Sequence, residues 1–301
     1  MEIGEAGYLN LLKLCLETGD KRTTRNGATR SLFGAHLSFD LKTGFPLITT
    51  KKMFTKGIIA ELIWFLNGRT DNMVLKQQGV HIWDGNSTRE YLDRRGLVNY
   101  TEDECGPIYG FQWRRFNCTY PGRNVPISQI PMHKPEQDQL AKIISLIQND
   151  PMSRRMVMSG WNPCQIDEMC LEPCHVLYQF YVRIVDGRKF LSCHLYQRSA
   201  DLFLGVPFNI ASCALLTHII ANITECQVDK LMISFGDVHV YENHIEVVKT
   251  QITRTPYPFP QLEIGHDGPK IELENLEKLE PEIFKIVNYT CHPALKALMA
   301  V

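Results

Sequence analysis

Net charge is what this sequence lacks most: its 32 lysines and arginines meet 33 aspartates and glutamates, for a formal net charge of -1. No global field therefore draws the chain to nucleic acid or to an anionic membrane, and no basic patch with interleaved aromatics supports RNA binding. A secretory leader is missing too. The opening "MEIGEAGYLNLLKLCLETGD" has acidic residues where such a leader is basic, and its apolar residues recur like one face of a helix. There is no membrane-spanning run, no internal repeat and no low-complexity tract. Without a leader, ten cysteines read as reduced thiols of a cytoplasmic protein, the nucleus being the other compatible compartment, not as a disulfide framework.

What remains is an ordinary globular composition, 44% hydrophobic and 22% charged over 301 residues, long enough to bury roughly three quarters of its unfolded surface. Helical spacing and end signals predict helices at "YLNLLKLCLETG", closed by Gly19, at "KGIIAELIWFLNG" between Thr55 and Gly68, and at "DQLAKIISLIQND" before Pro151. "FNIASCALLTHIIANI" reads as a central buried helix and "ENHIEVVKTQI" as an amphipathic one. Strands are expected at "RRMVMSGW", "HVLYQFYVRIV", "KFLSCHLYQ" and "KLMISFGDVHVY", with a tight hairpin at Asp186-Gly187, and these strands are expected to form a meander. The Pro-rich "TYPGRNVPISQIPMHKPEQ" reads as a surface loop, since composition does not shift across it.

Chemistry concentrates around Cys174, between a proline and a histidine at a strand start. It reads as a packed thiol, a metal ligand or a nucleophile. Cys164, Cys170, Cys174, His175, Cys193 and His194 are too irregularly spaced, and too often inside strands, for a zinc site; Cys105 and Cys118 look incidental. Downstream, Arg198, Ser199 and Asp201 close a strand before Gly205 and Pro207 turn the chain into the apolar helix carrying Asn209. Polar groups where a strand meets a helix make a ligand site, and an amide on an apolar helix needs partners, which the edge of uracil offers. Arg154 with Arg155, and Arg22 with Arg25 in "KRTTRNGATR", suit a phosphate if they share a Gly-containing loop and a sheet.

The stretches Pro173-Cys174-His175 with "QFYV", "LYQRSADLFLGVPFNIASCALLTH", "GDVHVYENHIEVVKTQ" and "HPALKALMAV" closely resemble thymidylate synthase. "FPLITTKKMF", "ELIWFLNG", "IWDGN", "GPIYGFQWRRF" and "SRRMVMSGWNP" match that family in the same order upstream. The resemblance implies an α/β fold of the α+β type: a single domain over residues 1–301, without a fused reductase domain. Its sheet would be mixed and mostly antiparallel, with helices on one face and the other face buried in a homodimer. It also implies a methyltransferase that converts dUMP to dTMP with 5,10-methylenetetrahydrofolate and no metal.

Carried onto this chain, the resemblance makes Cys174 the nucleophile at uracil C6, helped by Arg198. Asn209 binds O4 and N3, Glu61 relays protons to O4 after burial raises its pKa, and Tyr109 assists proton removal from C5. Arg22, Arg198 and Ser199 hold the phosphate with Arg154 and Arg155 of the partner subunit, and His239 and Tyr241 bind the ribose hydroxyl. Lys51, Ile82, Trp83, Asn86, Asp201, Gly205, Phe208 and Ala300 serve the folate, under a C-terminal lid ending at Val301.

Three departures from the family pattern stand out. The segment Arg22 to Thr29 is two residues longer than the usual phosphate loop, which leaves Arg25 as a rival to Arg22. Glu172 replaces a proline two residues before Cys174, its effect expected to be muted by solvent, and Lys52 stands where arginine is common. The competing readings are a pyrimidine nucleotide hydroxymethylase of the same fold, against which Asn209 argues, and a non-catalytic RNA-binding homologue.

Overall fold

The structure, a computed structural model, describes residues 3–265 and 271–298. Its chain divides into two compact units, one made of residues 1–55, 182–269 and 282–301, the other of 56–181 and 270–281. The first begins with α1 (Glu5–Thr18), which buries Tyr8, Leu11, Leu12, Cys15 and Leu16 along one side as their spacing requires. Gly19 ends it, donating its N–H to Cys15 O at 3.1 Å.

β1 (Asp20–Thr24) and β2 (Gly27–Asp40) follow as an antiparallel hairpin. The segment "KRTTRNGATR" is therefore mostly strand, and the expected phosphate loop shrinks to Arg25-Asn26 at the tip. Threonines suit a pleated surface, and Gly27, at φ 124°, takes the turn conformation that a side chain resists.

The second unit carries α2 (Thr55–Leu66), α3 (Met73–Gln77), α4 (Asp84–Ser87), α5 (Arg89–Arg94), α6 (Tyr109–Arg114) and α7 (Gln139–Asn149). Asp138 caps α7 by accepting the Ala141 N–H at 2.9 Å. β3 (Val157–Ser159) is shorter than its sequence suggests and pairs antiparallel with the first half of β4 (His175–Val185). The expected surface loop after Cys118 holds only one 3-10 turn, Ile127–Gln129.

β4 ends in the first unit at the predicted hairpin, where Asp186 and Gly187 take φ of 48° and 76°. Then come β5 (Arg188–Asp201), α8 (Gly205–Ile223), β6 (Gln227–Tyr241), α9 (Ile245–Ile252), and the small antiparallel pair β7 (Gln261–Ile264) and β8 (Phe284–Val287). Strand order in this unit is β1-β2-β6-β5-β4. The expected meander is overturned: β5 and β6 are parallel, and β2 lies antiparallel on the far side of β6. Parallel neighbours need a crossover, which α8 supplies.

By length and composition α8 passes for a membrane span, yet most of it is buried in the fold. Ile210, Ala211, Leu215, Leu216 and Ile219 have no exposed surface, and each large aliphatic among them contributes roughly 1.5–3 kcal/mol by leaving water. That anchored helix holds Asn209 in its second turn.

Candidate active site

Each unit carries a cluster of the residues singled out by sequence. In the second unit Cys174 sits just before β4, partly exposed, with its backbone N–H donated to the Tyr109 hydroxyl at 2.8 Å. Tyr109 opens α6, only 5% exposed, with its ring centroid 5.0 Å from Phe65 and 5.5 Å from His175. Gly110 permits that placement, because a Cβ there would overlap the Phe65 backbone carbonyl. His175 is oriented by Tyr178, Nδ1 lying 3.0 Å from the hydroxyl.

Glu61 projects from the apolar α2 and accepts a hydrogen bond from Trp83 Nε1 at 2.8 Å. Burial lifts its pKa from 4.5 to about 7, only partly offset by that hydrogen bond. Trp83 is 4% exposed and packs on Trp64, Phe65 and Tyr109, while Ile82 and Asn86 flank it partly buried. Arg154 and Arg155 are exposed between α7 and β3. Glu172 departs from the expectation of solvent screening: its carboxylate pairs with Arg95 Nη2 at 2.8 Å, and so meets a fixed positive charge instead.

The first unit's cluster lies at the β5–α8 junction and the end of β6. Asp201 Oδ1 accepts the Phe203 and Leu204 N–H groups at 2.9 and 3.2 Å, which stops β5 and starts the turn into Gly205. Asn209 finds the partner its position demands: its Oδ1 accepts from Gln197 Nε2 at 2.8 Å. Arg198, Ser199 and Phe208 stand partly buried around it in sequence. His239 and Tyr241 share one face of β6, ring centroids 5.2 Å apart, while the alternating Val238 and Val240 are fully buried.

Arg22, on β1, hydrogen-bonds Asp237 through Nη1. Arg25 stays at the hairpin tip, its Nε donating to Asn26 Oδ1 at 3.0 Å. The sheet thus carries Arg22, and not Arg25, to the strand of His239.

Lys51 is 5% exposed, donates to the Phe203 carbonyl and lies 3.8 Å over the Phe203 ring centroid. Burial lowers its pKa to about 7. The C-terminal segment is tied down by Arg254 Nη1 to Pro293 O at 2.8 Å and by His244 Nε2, 2.8 Å from Leu298 O. Ala300 and Val301 lie outside the described residues.

A family model for thymidylate synthase matches residues 6–301. The chain belongs to the thymidylate synthase family. It is 44% identical to the thymidylate synthase of human herpesvirus 8 type P (isolate GK18), covering 99% of this chain and 84% of that protein. It is 44% identical to the thymidylate synthase of Saccharomyces cerevisiae, covering 99% and 97%. A bifunctional dihydrofolate reductase-thymidylate synthase of Paramecium tetraurelia is 43% identical over 99% of this chain and 61% of that protein. Thymidylate synthase activity, a methyl transfer, is what this membership supports, and neither the hydroxymethylase nor the RNA-binding reading is favoured.

Sequence reasoning missed several residues that hold the thymidylate synthase motifs. Glu5, 4% exposed, accepts the Thr49 and Thr50 N–H groups at 2.9 and 2.7 Å and so fixes the turn before Lys51. Gln197 orients Asn209, and Asp237 binds both Arg22 and His239. Only Asp237 left a signal, standing two residues before His239 and so on the same strand face. Among the described residues no cluster of three metal-binding side chains occurs.

Proposed function

We propose that the protein converts dUMP to dTMP through a covalent adduct on Cys174. 5,10-Methylenetetrahydrofolate supplies the carbon and the hydride and leaves as dihydrofolate. The Cys174 thiolate adds to C6, and the displaced electron pair makes an enolate across C4 and C5. C5 then attacks the one-carbon unit. Loss of the C5 proton breaks the carbon–nitrogen bond to the folate and leaves an exocyclic methylene on C5. Hydride transfer from the released tetrahydrofolate to that methylene makes the methyl group as the C6–S bond breaks and the thiolate leaves. The observation that carries this reading is the nucleophile's setting: Cys174 is held by Tyr109 in a unit whose half-buried Glu61 has its pKa raised to about 7, where it can both give and take a proton.

Enolate charge collects on O4, which Asn209 would bind while Glu61 serves it through water; Tyr109 would assist removal of the C5 proton. Arg198 would stabilise the thiolate and join Arg22 and Ser199 at the phosphate, with His239 and Tyr241 at the ribose. Lys51, Ile82, Trp83, Asn86, Asp201, Gly205, Phe208 and Ala300 would hold the folate. The working form would be a homodimer of single-domain subunits in a reducing compartment, cytoplasm or nucleus. Arg154 and Arg155 of the partner subunit would then complete each phosphate site. The exposed Arg154 and Arg155, and apolar side chains left 38–46% exposed at Ile184, Val185 and Tyr196, support a partner.

Tritium release from 5-tritiated dUMP tests the proposal. Wild type with the folate should release tritium and Cys174→Ala should not, and 5-fluoro-dUMP with the folate should leave a mass adduct on Cys174. Turnover by Cys174→Ala would refute it.

A further inference from the structure

Asp237 has no role in the reaction as set out above, yet it sits among its residues. Alternation along β6 puts Asp237, His239 and Tyr241 on one face. Parallel register brings Ser199 beside Asp237, and antiparallel register brings Thr29 beside Tyr241 and Arg22 beside Thr29. The carboxylate oxygens meet different partners: Oδ1 lies 2.8 Å from His239 Nδ1, Oδ2 accepts from Arg22 Nη1, and the Ser31 hydroxyl on the neighbouring strand also hydrogen-bonds the carboxylate. The hydrogen bond from His239, helped by the Arg22 charge and the Ser31 hydroxyl, holds the carboxyl below the usual aspartate range.

An ionised carboxylate only accepts. A neutral His239 must therefore carry its proton on Nδ1, and its Nε2 is left as an acceptor. We propose that Asp237 is the positioning residue that sets this tautomer, so that Nε2 accepts a hydrogen bond from the sugar hydroxyl of the nucleotide. The inference rests on reading His239 as the ribose ligand. Because Arg22 occupies the other oxygen, and its side chain is 56% exposed, solvent weakens that pair. A phosphate, accepting two hydrogen bonds at once, can take Arg22 away without disturbing His239.

Asp237→Asn tests this. An amide can turn its N–H toward Nδ1, which moves the ring proton to Nε2 and removes the acceptor. Nitrogen-15 NMR should show the His239 proton moving from Nδ1 to Nε2. The KM for dUMP should rise roughly tenfold, with the loss in KM and not in kcat. The affinity of 2′,3′-dideoxyuridine 5′-monophosphate, which has no sugar hydroxyl to offer, should stay at the wild-type value. Asp237→Glu should keep the wild-type tautomer, separating the effect from misfolding, and in a His239→Gln background Asp237→Asn should raise KM no further. An unchanged tautomer in Asp237→Asn, or an equal loss of affinity for the dideoxynucleotide, overturns the proposal. A wild-type KM in His239→Gln overturns the ribose reading itself, and the proposal with it.

Discussion

Glu61→Gln should make the protein more stable while making it a poor enzyme, and the stability gain should depend on pH in a defined way. The unfolded chain releases this proton near the ordinary 4.5, the folded chain near about 7. Between those values the folded state binds more protons, so wild-type stability falls as pH rises through the window. The loss is absent below 4.5 and complete above 7. A pKa raised from 4.5 to about 7 corresponds to about 3 kcal/mol.

Glutamine cannot ionise, yet its carbonyl oxygen can still accept from Trp83 Nε1, so the packing survives. Urea unfolding of both proteins at several pH values from about 5 to about 8.5 would read the difference directly. The variant's advantage should grow across that range toward about 3 kcal/mol, while dTMP synthesis falls by roughly 100-fold or more as the proton relay is lost. A stability difference that stays flat with pH, or a wild type that is the more stable at alkaline pH, would refute the burial argument.

Other changes test other parts of the site. Arg95→Ala removes the Arg95–Glu172 ion pair, and with it the positive charge facing the carboxylate two residues before the nucleophile. Alkylation of Cys174 by iodoacetamide at neutral pH should slow roughly threefold, and adding Glu172→Gln should restore it; an unchanged rate would count against the pair. Lys51 carries the opposite linkage to Glu61: burial depresses its pKa from 10.5 to about 7, so its stability cost is full below about 7 and fades toward 10.5. Lys51→Met should therefore raise thermal stability more at about pH 6 than at about pH 9, while raising the KM for the folate. Gly110→Ala forces a methyl against the Phe65 backbone, whose Cα is only 2.6 Å away. It should cost roughly 1–3 kcal/mol in denaturant unfolding and displace Tyr109, lowering turnover as well.

What the sequence determined by itself was local. Helical spacing marked α1, α2, α7, α8 and α9; Asp186-Gly187 marked its hairpin, since few other dipeptides take positive φ twice; the apolar neighbours of Glu61 foretold its raised pKa. The ordered motifs around Cys174 pointed to the family before any coordinates did. Tertiary structure decided whatever depends on residues far apart in the chain. It set β5 parallel to β6 and placed β2 on the far side of β6. It also turned an expected loop into the β1–β2 hairpin, carrying Arg22 rather than Arg25 to Asp237, and it supplied Arg95 to Glu172 and Gln197 to Asn209. Periodicity and turn chemistry act over a few residues and are written into the local sequence. Strand register and ion-pair choice are settled only when distant segments compete for the same partners, so no short stretch records them.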